Sequence, residues 1–318
     1  MVSSFHYISH TIPTKSPRIT NQCPIFSLKT PNLSFSKSSF CTLRLNQVFT
    51  FPNHSLKSKF RSKASMADVN SKNVNIFESE EQVAIELANY TAILSNKFIK
   101  ERGAFTVVVS GGSLIKSLRK LVEPPYVDSI DWSRWHMFWV DERVVPKDHP
   151  ESNYKLAYDG FLSKVPIPPG NVYAINDSLT AEGAADDYET ALKQLVKTNI
   201  LATSPTSNFP KFDVMLLGMG PDGHVASLFP GHPLVNENER WVTFIKDSPK
   251  PPPERITFTF PVINSSANIA LVVCGSGKAA VVKTALSGNQ SSDLLPVQMV
   301  SPEGDLNWFL DKEAAGML

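Results

Sequence analysis

One repeated grammar limits what this chain can fold into. A short, wholly apolar strand runs straight into a polar turn rich in glycine, and a helical pattern follows. Phe105-Thr106-Val107-Val108-Val109 meets Ser110-Gly111-Gly112-Ser113, and Leu114–Val122 then reads as a helix. His136–Val140 ends in Asp141-Glu142-Arg143, with a helical stretch at 152–162. Val172–Ile175 precedes a helix over Ala181–Thr198, whose Ala185, Tyr188, Leu192 and Leu195 share one face. Phe212–Leu217 ends in Gly218-Met219-Gly220-Pro221-Asp222-Gly223-His224. Asn268–Val273 ends in Gly275-Ser276-Gly277-Lys278, followed by a helix to Leu286. Continuously apolar strands are buried on both faces, and strands alternating with helices build a mostly parallel sheet with helices on both sides. An α/β fold in a single domain is expected. Ahead of it, 79–101 reads as a helix with Ser79 and Gln82 as a capping box. Pro249-Lys250-Pro251-Pro252-Pro253 reads as a stiff connector, and Arg255–Phe260 alternates like a strand.

Charge divides the 318 residues unevenly. Residues 1–67 hold nine of the 31 Lys/Arg and no Asp or Glu, so the remainder carries 22 basic against 30 acidic side chains. A basic, acid-free, Ser-rich leader matches an organelle transit peptide. The basic residues are scattered through Ser, Thr and Pro, which argues against a nucleic-acid-binding arm. No Arg-rich amphipathic helix stands out, which points to the chloroplast stroma rather than the mitochondrion. Residues 1–65 are therefore expected to be a disordered transit peptide and 66–318 the folded domain. Met66 is a near-processing site or the start of a cytosolic form. No run approaches the roughly 20 apolar residues of a membrane span. Beyond the leader only Cys274 remains, which suits a reducing compartment.

In open α/β sheets ligands sit beyond the carboxyl ends of the strands, where every unusual motif here falls. Ser110–Ser113 is either a tight strand-to-helix turn or an anion cradle, in which the backbone N–H groups of Gly111 and Gly112 and the hydroxyl of Ser113 face a phosphate. Arg143 is either a surface ion-pair partner or a planar phosphate clamp. Lys278 stands at a helix start, where a cation is disfavoured unless an anion lies near; a solvated lysine is the plain alternative. Arg255 is a ligand clamp or a strand-edge charge. Asp222-Gly223-His224 is the strongest signal. The imidazole titrates near neutrality and suits general-base work, with Asp222 to orient it. A metal site would need further His or Cys ligands at suitable spacing.

Taken together, Leu217–Gly231, Ser110–Ser113, Asp141–Pro146 with Ser152-Asn153-Tyr154, Pro249–Asn264 and Gly277-Lys278-Ala279 resemble the 6-phosphogluconolactonase family over roughly residues 75–310. The family often has Thr-Pro after the Ser-Gly-Gly-Ser loop, where Leu114-Ile115 stands here. The resemblance implies a Rossmann-like fold shared with glucosamine-6-phosphate deaminases. It implies hydrolysis of 6-phosphoglucono-δ-lactone, a sugar-phosphate lactone, with no cofactor and no metal. From the sequence itself no nucleic-acid or membrane partner is expected, and a monomer is the working expectation. On this chain it makes His224 the base that activates water and Asp222 its support. Arg143, Ser113, Lys116, Arg255 and Lys278 are then the phosphate-binding set. The deaminase motif continues from Asp-Gly-His toward an acid where this chain has Phe229, which speaks against ring-opening chemistry. A non-catalytic sugar-phosphate sensor would not need His224, Asp222 and Arg143 together.

Overall fold

The structure is a computed structural model that describes residues 73–287 and 294–318. The expected transit peptide, residues 1–65, lies outside the described residues. In chain order the strands are β1 (Asn73–Phe77), β2 (Phe105–Val109), β3 (Trp135–Trp139), β4 (Asp141–Arg143), β5 (Val172–Tyr173), β6 (Ala202–Thr203), β7 (Pro210–Lys211), β8 (Val214–Gly218), β9 (Val242–Ile245), β10 (Arg255–Phe258), β11 (Asn268–Val273) and β12 (Asp305–Asp311). The α-helices are α1 (Glu80–Arg102), α2 (Ser113–Ser117), α3 (Tyr126–Ser129), α4 (Asn153–Gly160), α5 (Ala181–Lys197), α6 (Phe260–Asn264) and α7 (Ala279–Leu286).

Seven strands form the main sheet in the order β1-β12-β11-β8-β2-β3-β5, and every neighbouring pair is parallel. The apolar strands explain why. β2, β8 and β11 are buried along nearly their whole length, so each needs cover on both faces. Successive residues point to opposite sides. Val108, Met215, Leu217, Leu271 and Val273 pack with Tyr188 and Leu192 of α5 and Val282 of α7. Val107, Val109, Leu216, Ala270 and Val272 pack with Val83 and Leu87 of α1 and Leu114 of α2. This is the expected single-domain α/β fold with helices on both faces.

Several local expectations need correcting. The helix over Leu114–Val122 is two pieces, because α2 ends at Ser117 and a 3₁₀ turn covers Arg119–Val122. Only half of the capping box forms. The Gln82 N–H donates to Ser79 Oγ, whereas the Gln82 amide reaches forward to Glu86. The strand at Arg255 does not join the parallel sheet. β10 pairs antiparallel with β4 and β9 in a separate three-stranded sheet, and β10 is buried throughout instead of alternating. β1, β9 and β12 escape a reading by apolar runs. In β12, Asp305, Asn307 and Asp311 interrupt the pattern, yet Trp308 and Leu310 are fully buried. No helix among the described residues is long and apolar enough to cross a membrane.

The small sheet positions the site. β4 leaves the main sheet directly after β3, and Phe258 of β10 donates its backbone N–H to Val140 O at 2.8 Å. This places Asp141–Arg143 and Arg255 above the carboxyl ends of β2, β8 and β11.

Candidate active site

A cleft of roughly 170 Å³ lies where the central strands end. It is lined by Ser110–Ser113 after β2, Asp141 and Arg143 of β4, Asn153 of α4, Gly218–Pro221, His224 and Ala226 at the end of β8 and beyond, Arg255 of β10 and Lys278 after β11. Of the nine expected site residues, seven line this cleft: His224, Gly111, Gly112, Ser113, Arg143, Arg255 and Lys278. Asp222 stands directly behind His224. Lys116 is not brought to the cleft. Its side chain is 76% exposed, 3.9 Å from Glu80, and it borders a different cavity with Glu78, Cys274 and Asp311.

The β2 and β8 loops are laced together. Ser110 donates its N–H to Leu216 O at 3.0 Å, and Gly218 donates its own to Ser110 Oγ at 3.1 Å. Gly112 has φ +64°, a conformation that favours glycine and turns the backbone into the start of α2. After β8 the chain closes a tight turn, with the Gly220 N–H bonded to His224 O at 2.9 Å and the Gly223 N–H to Gly220 O at 3.0 Å. A Cβ on Gly220 would lie 2.1 Å from the His224 ring. The missing side chain is therefore what lets the imidazole lie over the loop.

His224 Nδ1 lies 2.5 Å from Asp222 Oδ1. A carboxylate only accepts, so Nδ1 carries the proton and Nε2 is the free base. Burial holds the imidazole below its usual range, which Asp222 partly opposes and Lys250 reinforces. Burial alone would raise the Asp222 carboxyl, but its bonds to His224 and Lys250 outweigh that and leave it lowered. At neutral pH the pair is thus a neutral imidazole against a carboxylate. Phe229, 1% exposed, packs on the imidazole at 4.7 Å between ring centres. Phe229 is uncharged and takes no part in the proton balance of the pair.

The other end of the cleft is cationic. Arg143 donates from Nη1 to Glu151 O at 2.6 Å, and its buried Nε has no partner among the described residues. Lys278 is half-buried and enters no ion pair among the described residues; burial holds its ammonium below the ordinary lysine range. Glu142 anchors Arg143 from below. It accepts from the backbone N–H groups of Arg143, Asn153 and Tyr154, each at 2.7 Å. Burial pushes its carboxyl up to about 7 against those donors.

Arg255 is 3% exposed, and its guanidinium is largely committed within the protein. Nε donates to Pro252 O at 2.9 Å, and Nη2 to Lys250 O and Pro251 O at 2.8 and 3.0 Å. Nη1 reaches Ser227 Oγ at 3.4 Å, and that hydroxyl donates to Asp141 Oδ2 at 2.8 Å. Arg255 therefore holds the Lys250–Pro252 loop as well as bordering the cleft. The sequence reading missed Lys250, whose ammonium sits 3.1 Å from Asp222 Oδ1 and 3.3 Å from His224 Nδ1. A lysine inside a proline run carried no signal of that contact.

Comparison with known proteins follows the same lines. The model of the family described as glucosamine-6-phosphate isomerases/6-phosphogluconolactonase matches residues 78–308. The chain belongs to this family. It is 73% identical over 247 residues to the probable 6-phosphogluconolactonase 4, chloroplastic, of Oryza sativa subsp. japonica, covering 77% of this chain and 76% of the relative. It is 61% identical over 316 residues to 6-phosphogluconolactonase 3, chloroplastic, of Arabidopsis thaliana, covering 98% and 94%. Among solved structures, the 6-phosphogluconolactonase of Thermotoga maritima superposes with a TM-score of 0.64 at 29% identity, over 76% of this chain and all of that one. A monomeric glucosamine-6-phosphate deaminase shares the fold alone, with a TM-score of 0.62 at 22% identity over 77% of this chain and 100% of that one.

Proposed function

We propose that this chain hydrolyses 6-phospho-D-glucono-1,5-lactone to 6-phospho-D-gluconate in the oxidative pentose phosphate pathway, with His224 as the general base. It is a lactone hydrolase of the chloroplast, in keeping with the names of its plant relatives. One observation carries the reading. A neutral imidazole, oriented by a carboxylate at 2.5 Å, borders the same cleft as a glycine-rich helix start and two cations, Arg143 and Lys278.

The chemistry follows from the two ends. The phosphate binds at Gly111–Ser113 with Arg143 and Lys278, which fixes the sugar and brings the lactone carbonyl toward His224. Nε2 takes a proton from water as the water oxygen bonds to C1. The carbonyl electrons move onto its oxygen, and the cations help hold that charge. The tetrahedral intermediate then collapses. The bond from C1 to the ring oxygen breaks, and the imidazolium returns its proton to that oxygen, which becomes the C5 hydroxyl. The product acid loses its proton to solvent. Asp222 stabilises the transient imidazolium and keeps Nε2 aimed at the cleft.

The direct test generates the lactone with glucose-6-phosphate dehydrogenase and follows its decay with and without the purified protein. Decay much faster than the spontaneous rate is expected. An unchanged rate would reject the proposal.

A further inference from the structure

Lys250 has no part in the chemistry above, and it does not line the cleft. Its placement is nevertheless tightly specified. Its backbone N–H meets Ser248 Oγ at 3.2 Å, and its carbonyl accepts from that hydroxyl at 2.9 Å and from Arg255 Nη2 at 2.8 Å. Two further Arg255 bonds hold the next two carbonyls. A buried guanidinium is thus used to fix one short loop, and that loop delivers one ammonium to the back of the Asp222–His224 pair.

We propose that Lys250 is a positioning residue for this site: its ammonium, held by the Arg255 clamp, pins Asp222 and fixes His224 with Nδ1–H turned away from the cleft and Nε2 facing it. The inference rests on the proposed role of His224. Three distances carry it. Asp222 Oδ1 accepts from Nδ1 at 2.5 Å and from Lys250 Nζ at 3.1 Å, and Nζ lies 3.3 Å from Nδ1. One carboxylate oxygen taking both donors leaves Asp222 little freedom to swing away. With Nδ1 already protonated, the ammonium beside it repels a second proton on the ring. Asp222 and Lys250 are the charges in contact with the imidazole, Asp141 of β4 acts at longer range, and Phe229 beside it is uncharged. Lys250 therefore counters the pull of Asp222, which by itself would make His224 a stronger but more readily protonated base. Its lowering influence on the His224 pKa has the same sign.

The test is Lys250→Met, with Lys250→Arg as the conservative variant. In the free protein, long-range proton–nitrogen correlation spectra of the His224 ring report both tautomer and titration midpoint, once the resonance is assigned by its loss in His224→Ala. In Lys250→Met the midpoint should rise by about half to one pH unit, as Coulomb's law gives for charges near 3 Å under water-like screening. Lys250→Arg should restore most of it. In lactone hydrolysis, the acid limb of the rate should move up by the same amount. At a pH well below both midpoints, kcat should fall roughly three- to tenfold with KM little changed, since half to one pH unit is that factor, and the difference should vanish toward neutrality. An unmoved midpoint, or a raised KM with the limb in place, would overturn the proposal, the latter by making Lys250 a substrate ligand. A midpoint that moves in the free protein while the rate follows no such ionisation would support Lys250 and reject His224 as the base. Should Lys250→Met fail to fold, Lys250→Gln carries the same measurements.

Discussion

The two ends of the cleft are built in opposite ways. At the His224 end the polar groups satisfy one another, with Nδ1 on Asp222, Lys250 on the same oxygen and Arg255 on the carbonyls behind. At the Arg143 end donors are left over once Nη1 of Arg143 has met Glu151. The buried Nε of Arg143 has no partner among the described residues, Lys278 enters no ion pair there, and Gly112 and Ser113 are exposed at a helix start. A group that must transfer a proton has to be oriented before substrate arrives. Groups that only hold an anion can wait for it, because the ligand completes their bonding. Substitutions at the two ends should therefore fail differently.

The largest effect is expected from His224→Ala. Removing a general base should lower kcat by about 10²–10⁴-fold, leave KM within a few-fold, and abolish the acid limb of the pH profile. That limb lies below the usual histidine range near 6.5, because burial depresses His224. Activity in the unmodified protein should therefore stay level through neutrality and fall only as the imidazole gains its proton at lower pH. The same shift makes His224 a stabilising group above about pH 6.5 whose contribution declines as the solution is acidified, since the unfolded chain binds that proton more readily. A folded variant with near-normal kcat would remove His224 from the mechanism.

Gly220→Ala should come next. The added Cβ has no room beside the ring at 2.1 Å, so the imidazole must shift. A misplacement of about 1 Å costs on the order of 10²-fold in rate. The loss should appear in kcat with the melting temperature nearly kept. A KM effect alone would mean that Gly220 faces the substrate instead of supporting the base.

Arg143→Ala should act through the phosphate. A charge-assisted contact is worth about 1.5–3 kcal/mol, so kcat/KM should fall by about one to two orders of magnitude. An unphosphorylated gluconolactone should be a poor substrate and indifferent to the change. Equal losses on both lactones would assign Arg143 to the carbonyl or to structure. The smallest effect belongs to Lys116→Ala. An exposed cation 3.9 Å from Glu80 and outside the cleft contributes little, and kcat/KM should change by less than about twofold. A tenfold loss would bring Lys116 into the phosphate site.

What could be read in advance follows from how far apart the partners lie in the chain. Asp222 and His224 are two residues apart inside a run of glycines, so their pairing is local and visible in sequence. The apolar strands β2, β8 and β11 are legible for the same reason, because each is one uninterrupted stretch buried on both faces. β12 is harder, since its apolar residues alternate with polar ones, and Trp308 and Leu310 reach the core only once β12 is paired between β1 and β11. Arg255 shows how a correct residue acquires a second role. A cation beside a site reads as a ligand for phosphate, but the carbonyls that claim it become visible only once the proline run folds back over β10. Lys250, 28 residues from Asp222, carried no pattern at all.

The cleft draws on the loops after β2, β8 and β11, on β4 and β10 themselves and on the start of α4, so no stretch of chain owns it. β8 sits between β2 and β11, and β4 and β10 join only when the second sheet closes. A refolding chain can regain helix and strand signals piecemeal, but turnover must wait for the last of these pairings. The recovery of catalysis after dilution from denaturant therefore clocks the slowest docking event in the molecule, and it should lag the return of secondary structure wherever the two are followed together.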